Sequence, residues 1–252
     1  MSTNTKTGLV GFFDILGYQN LLEQNEPDVI AEEVLPILIG LKNSIKANIY
    51  DLLELAKGSE LKKTIEPIVE SMGWLVFSDT ILLTLAFKED DDSLNHLYWL
   101  VFLMASKDIQ TELFNAGLPA RGAIDYGKFF VQENYFAGRC IVKAYKLSST
   151  IEMAACVLSH EAVITFESNK DVENADVRSR IFKTLVIPYL VPTKQEEVRM
   201  YTVKARLASN PNIHGKVMRA FWSNTKDIAQ SVRPKISNTE QWLEFLDFKK
   251  SP

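Results

Sequence analysis

Residues 9–18 read Leu9-Val10-Gly11-Phe12-Phe13-Asp14-Ile15-Leu16-Gly17-Tyr18. The apolar run up to Phe13 suits a buried strand, and Gly17 punctuates the turn beyond it, which leaves Asp14 at the strand end. A second aspartate has similar surroundings. Leu75-Val76-Phe77 precede Ser78-Asp79, and Ile81, Leu82, Leu83 and Leu85 follow, so two apolar runs flank a polar dipeptide as in a β-hairpin with Asp79 near its tip. A carboxylate embedded in apolar sequence is costly unless it is paired, hydrogen-bonded or metal-bound. One plain use is open to each: Asp14 capping the next helix and Asp79 serving a turn. The alternative is chemical. If the first strand lies beside the hairpin, the two carboxylates converge and can hold two divalent cations about 3.5 to 4 Å apart, the arrangement that supports in-line displacement at phosphorus.

Working outward, apolar residues from Val29 to Leu53 recur at three- and four-residue spacing, which predicts an amphipathic helix over 28–57 with a bend at Pro36. A long helix is expected from Ser93, its N-cap, to Ala116, stopped by Gly117-Leu118-Pro119. A strand then runs from Ala120 to Tyr126, and a helix from about Arg139 to Ser149. Strand, helices, hairpin, helix, strands, helix is the order of an α+β sandwich, a sheet with helices packed on it, and not of repeated βαβ crossovers. Further strands are expected at Val157-Leu158, Phe182 to Val191 and Val198 to Val203, and helices at Gly215 to Ser231 and Thr239 to Phe248. The chain is read as one domain, 1–252, with the Asn210-Pro211-Asn212 turn setting off a C-terminal helical appendage of about 205–252.

Composition narrows the function. With 28 basic against 32 acidic side chains and a net charge of −4, there is no positive excess for gripping nucleic acid. The most apolar helical stretch, Leu97 to Ala105, falls well short of the roughly 20 residues of a membrane span, and the N-terminus has no apolar signal core. Cys140 and Cys156 make neither a Cys-x-x-Cys pair nor a disulfide framework, so a cytoplasmic home is expected. His96, His160 and His214 are scattered, which argues against zinc.

Four segments in order resemble the class III nucleotidyl cyclases. Phe12-Phe13-Asp14-Ile15-Leu16-Gly17-Tyr18 resembles their Phe-x-Asp-Ile-x-Gly-Phe segment, and Phe77-Ser78-Asp79-Thr80-Ile81-Leu82 their Gly-Asp hairpin. Arg121 to Gly127 resembles the later Arg-x-Gly-Ile-x-x-Gly strand, and Gly138 to Leu147 the late helix. Within that family, Ala144-Tyr145-Lys146-Leu147 and the Phe-Ser-Asp hairpin resemble the pyrimidine cyclases of Pycsar antiphage systems. The resemblance implies a ferredoxin-like palm sheet in a head-to-tail homodimer with composite active sites. It also implies two Mn²⁺ or Mg²⁺ per site on Asp14, Asp79 and the Ile15 carbonyl. Phe13, Leu16, Gly17 and Tyr18 would lie around the triphosphate, held by backbone N–H groups from Leu16 to Tyr18.

Departures from the family qualify these expectations. The late helix carries Val142 and Lys146 where purine cyclases carry Asn and Arg, so Lys146, with Lys143 or Arg139 as alternatives, is the candidate for charge stabilisation at phosphorus. Leu75 and Tyr135 stand at the two base-selecting positions and match neither the Lys/Asp of adenine-type nor the Glu/Cys of guanine-type enzymes. Arg121 is then the candidate donor to a pyrimidine carbonyl. The function expected is cyclisation of UTP, or next CTP, to a 3′,5′-cyclic monophosphate that acts on a separate effector protein in antiphage defence. Three alternatives stay open: a silent nucleotide-binding domain of the same fold, a purine cyclase, and another palm-like enzyme such as a polymerase or dinucleotide cyclase. The last lacks support from a Gly-Gly-Asp-Glu-Phe hairpin or a basic balance.

Overall fold

The computed structural model describes residues 5–55, 59–88, 94–132, 135–168, 175–205, 212–223 and 227–249. In chain order it comprises β1 (Thr5–Ile15), α1 (Tyr18–Gln24), α2 (Pro27–Val29), a π-helical turn (Ile30–Val34), α3 (Leu35–Leu55), α4 (Ser59–Glu70), β2 (Gly73–Phe77), β3 (Thr80–Ala86) and α5 (Asn95–Asn115). There follow β4 (Ala120–Gln132), β5 (Tyr135–Gly138), α6 (Arg139–Thr150), β6 (Cys156–Leu158), α7 (His160–Ser168), α8 (Ala175–Leu185), β7 (Val186–Pro192), β8 (Glu197–Val203), α9 (Ile213–Trp222) and α10 (Arg233–Phe248). The class is α+β: one mixed sheet of order β2-β3-β1-β4-β6-β8-β7, with β5 pairing on β4. Every named pairing is antiparallel except β4 with β6.

β1 is central because its two neighbours are long and its side chains alternate between two cores. Leu9, Phe13 and Ile15 join Ile81, Leu83 and Leu85 beneath α3, α4 and α5, where Trp99 is fully buried and meets Phe166 edge-on at 5.0 Å. Val10 and Phe12 point the other way, toward Leu82, Phe129 and the buried Cys140 and Ala144 of α6. Beside α6 on that second face, α9 and α10 pack on Ala123 and Val157 through Phe221, Trp242 and Leu243. Two close approaches need glycine. A Cβ on Gly8 would lie 2.1 Å from the Leu85 carbonyl oxygen, and one on Gly122 2.5 Å from the Phe13 ring.

Several expected boundaries move. The helix expected over 28–57 breaks into α2, a π turn and α3, with Pro36 in the first turn of α3, where its missing N–H matters least. Phe182 to Leu185 belong to α8, not to a strand, because Ile181 and Leu185, four apart, both bury on one helical face. The helix expected over 215–231 ends at Trp222, and α10 begins at Arg233, earlier than Thr239. The Ser93 cap lies outside the described residues, as does Asn210-Pro211.

Candidate active site

Asp14 lies directly opposite Thr80 on one side and Arg121 on the other. Ser78, at φ 55, takes the left-handed conformation typical of two-residue hairpin turns, and Asp79 completes that turn. The Ile15 N–H donates to the Asp79 carbonyl at 3.0 Å, so the hairpin tip is tied to the end of β1 and both carboxylates sit at the same edge of the sheet. Arg121 Nε and Nη2 donate to Asp14 Oδ2 at 2.9 and 2.8 Å. Its Nη1 donates to the Ser149 and Ile151 carbonyls, each at 3.1 Å, so the guanidinium also fixes the C-terminal end of α6. Asp14 does not cap the next helix: α1 is entered through Gly17 at φ 78 with no side-chain cap.

Asp14, Asp79 and Arg121 line a cleft of about 430 Å³ together with Gly17, Tyr18, Ser231, Val232 and Lys235. Burial pushes the Asp79 carboxyl above its usual range, and the nearby Asp14 charge adds to the shift. The Tyr18 phenol is raised as well, first by burial and then by Asp79. Two carboxylates facing one guanidinium leave negative charge uncompensated at the rim, which favours a cation there. Lys235 does not supply it directly. Its Nζ donates to the Ser231 carbonyl at 2.5 Å and pairs with Glu152 Oε2 at 3.3 Å.

The structure brings Asp14, Ile15, Leu16, Gly17, Tyr18, Asp79 and Arg121 together on this cleft. It separates the rest. Phe13 is fully buried in the core and does not line the cleft. The Leu16 N–H donates to the Pro119 carbonyl at 2.8 Å and is not free for a phosphate, which corrects the expected cradle. Arg121 spends four of its five N–H donors on Asp14 and two carbonyls, so as a base reader it would first have to release some of them. Leu75 is half-buried on β2 opposite Leu82, and Tyr135 is 74% exposed at the start of β5. Lys146 is exposed on α6, and Lys143 lines a different cleft. Sequence reasoning missed Lys235, Ser231 and Asn20, which reach the cleft only through the packing of α10 and α1. Arg121 opposite Asp14 was findable: setting Leu9 to Asp14 antiparallel to Arg121 to Tyr126 makes that pair.

No cluster of three or more potential metal-ligating side chains occurs among the described residues. The donor set still fits Mg²⁺ or Mn²⁺, because Mg²⁺ usually takes one or two carboxylates and completes its shell with water and substrate phosphates. Two hard oxygen ligands that repel each other at a half-open cleft match that demand. Nor is any helix among the described residues long and apolar enough to cross a membrane.

No family model matches the chain. No curated protein matches it either. Solved structures similar to it include the catalytic core of a rhodopsin-guanylyl cyclase with converted specificity, in complex with ATPαS, at 12% identity and a TM-score of 0.49, covering 81% of this chain and 99% of that one. Another is the monomeric guanylyl cyclase domain of a rhodopsin-fused protein of Blastocladiella emersonii, at 10% identity and 0.49, covering 80% and 97%. A class III adenylyl cyclase-like ATP-binding protein from Pseudomonas aeruginosa overlaps at 13% identity and 0.45, covering 71% of this chain and 40% of that one. These are partial superpositions of weakly similar sequences, and the functional reading below stands on the residues of this chain.

Proposed function

We propose that the chain is a nucleotidyl cyclase that converts a pyrimidine nucleoside triphosphate, UTP before CTP, to its 3′,5′-cyclic monophosphate and pyrophosphate. The observation that carries this reading is the convergence of Asp14 and Asp79 at the mouth of a cleft of about 430 Å³, a volume within the range of small-molecule sites. Asp14, Asp79 and the Ile15 carbonyl would hold Mg²⁺ or Mn²⁺, which supplies charge neutralisation along the triphosphate and acidifies the attacking hydroxyl. The 3′-oxygen forms a bond to the α-phosphorus as its proton passes to water in the cleft, and the bond between the α-phosphorus and the bridging oxygen breaks to release pyrophosphate.

The chain's own groups bind and orient. Gly17 and Tyr18, at the start of α1, line the cleft, and their backbone N–H groups would hold phosphate oxygens there. Arg121 lines the cleft and, once released from Asp14, would offer its donors to phosphate oxygens. Lys146 supplies a point charge at phosphorus from a second copy of the chain. A paired arrangement is supported by large apolar side chains left open on the hairpin, β5 and α6: Phe77 is 75% exposed, Tyr135 74%, Tyr145 52% and Val142 51%. The pyrimidine preference rests on Leu75 and Tyr135, which present no paired partners for a purine edge, and a second copy would bring them to the base. As part of the same proposal, the cyclic product is a cytoplasmic antiphage signal read by a separate effector protein.

One observation favours a second reading, a silent nucleotide-binding domain: Arg121 holds Asp14 where a cation would bind. Incubating the protein with Mn²⁺ and each of the four nucleoside triphosphates, with mass-spectrometric detection, separates these readings. A single cyclic pyrimidine product is expected. Cyclic AMP or GMP would overturn the base assignment, and binding without any product would favour the silent domain.

A further inference from the structure

Among the described residues, two cations line the cleft of Asp14 and Asp79: Arg121, from β4, and Lys235, from the first turn of α10. One short segment holds both. The Ser149 and Ile151 carbonyls accept from Arg121, and the next residue, Glu152, pairs with Lys235. α10 is fixed to the same stretch, because Asn238 Nδ2 donates to the Glu152 carbonyl at 2.8 Å and the Thr239 hydroxyl accepts from the Ala154 N–H at 2.8 Å. The turn before α10 is tied to α1, where Asn20 Nδ2 donates to the Asp227 carbonyl at 2.8 Å. Lys235 is therefore set at the cleft by contacts on both sides of its helix. It is only 9% exposed, a depth that lysine rarely reaches unless paired. Its pairing is loose: Nζ lies 3.3 Å from Glu152 Oε2, long for a charge-assisted bond and well beyond the 2.8 Å of Arg121 with Asp14. With a second donor on the Ser231 carbonyl, one of the three N–H donors of the ammonium is left for a ligand.

We propose that Lys235 binds the phosphate chain of the nucleotide from the same copy of the chain as Asp14 and Asp79, with Glu152 as the anion that the phosphate must outcompete. This rests on the cleft being the triphosphate site proposed above. An ammonium suits the task, because a compact charge on a flexible stem turns from a carboxylate to a phosphate oxygen with no plane to match. Arg121 is less free, since two of its donors hold Asp14 and two hold carbonyls. Phosphate binding through Lys235 needs no second copy of the chain, in contrast to the role given to Lys146.

Calorimetry with Mg²⁺ and inorganic tripolyphosphate tests this without a base or a reaction. Lys235→Met keeps the packing of the stem and removes the charge, and should weaken binding about five- to tenfold. Glu152→Gln removes the competing anion and should tighten binding about two- to fivefold. The opposite signs matter, because a lysine that only held α10 in place would weaken binding in both variants. Glu152→Gln/Lys235→Met keeps the parent's net charge and strands no charge in the interior, so its binding, expected to be as weak as that of Lys235→Met, reads contact and not folding or long-range attraction. Unchanged binding in Lys235→Met, weaker binding in Glu152→Gln, or parental binding in the double variant would overturn the assignment. A parent chain that does not bind tripolyphosphate would overturn it together with the triphosphate reading of the cleft. A parent that binds through Lys235 and cyclises no nucleotide would uphold the assignment and remove only the cyclase reading.

Discussion

Replacing Arg121 by Ala removes the cation that pairs with Asp14. The side chains of the pair are 14% and 23% exposed, so most of the contact is shielded from water. Breaking a buried ion pair by removing one partner costs about 3 to 5 kcal/mol, because the other charge stays behind. Here the cleft can hydrate Asp14, which places the expected loss at the lower end, about 3 kcal/mol. Two carbonyl hydrogen bonds, to Ser149 and Ile151, disappear with it. For a chain of this size that loss lowers the melting temperature by about 6 to 12 °C. Urea unfolding in EDTA measures it, and the same substitution in an Asp14→Asn background isolates the charge component. The two losses should differ by about 2 kcal/mol. Mn²⁺ at a hundred times its dissociation constant should return about 2.7 kcal/mol to Arg121→Ala, since the cation takes the guanidinium's place. A loss under about 1 kcal/mol, an equal loss in both backgrounds, or no rescue by Mn²⁺ would refute the reasoning.

Asp79 gives a pH signature. Its carboxyl is raised in the fold, so the folded chain takes up that proton more readily than the unfolded chain, and ionising it costs stability. The cost is absent below the unfolded value, about 4, and grows as pH climbs through Asp79's raised value. Asp79→Asn should therefore melt higher than the parent at neutral pH in EDTA and match it in acid; identical curves at every pH would contradict this. Lys235→Ala removes a cation from the cleft wall without touching β1, and should weaken nucleoside triphosphate binding about five- to tenfold by calorimetry. Gly40 sits in α3 with open space around it, so Gly40→Ala should raise stability by up to about 1 kcal/mol in urea unfolding. Gly8→Ala drives a methyl into the Leu85 carbonyl and should cost about 3 kcal/mol or more in the same assay.

The elements that build the site were legible because their signals are local. Leu9 to Phe13 is apolar and ends at a polar turn, Ser78-Asp79 interrupts two apolar runs, and Gly17 marks a left-handed turn, so β1, the hairpin and the entry to α1 follow from strand bulk and turn chemistry. The misread stretch, Phe182 to Leu185, runs straight into the apolar strand that starts at Val186, and tertiary burial of Ile181 and Leu185 decides it. α4 carries a helical spacing in Leu61, Ile65, Ile68 and Val69 that the sequence reading did not use, and α7 is only nine residues long. What no local signal contains is the packing of α10 that carries Lys235 to a cleft more than 200 residues away from β1 in sequence. Long-range contacts also decide which backbone donors remain available: the Leu16 N–H is satisfied by Pro119, a residue from the far side of α5.

The central claim is that Asp14 and Asp79 act together on a nucleoside triphosphate. Its most direct test measures cyclic monophosphate formed from UTP and Mn²⁺ by the parent chain and by Asp79→Ala side by side, with circular dichroism confirming that both are folded. The account predicts cyclic UMP from the parent and at least about a hundredfold less from Asp79→Ala. Undiminished turnover by Asp79→Ala would contradict it.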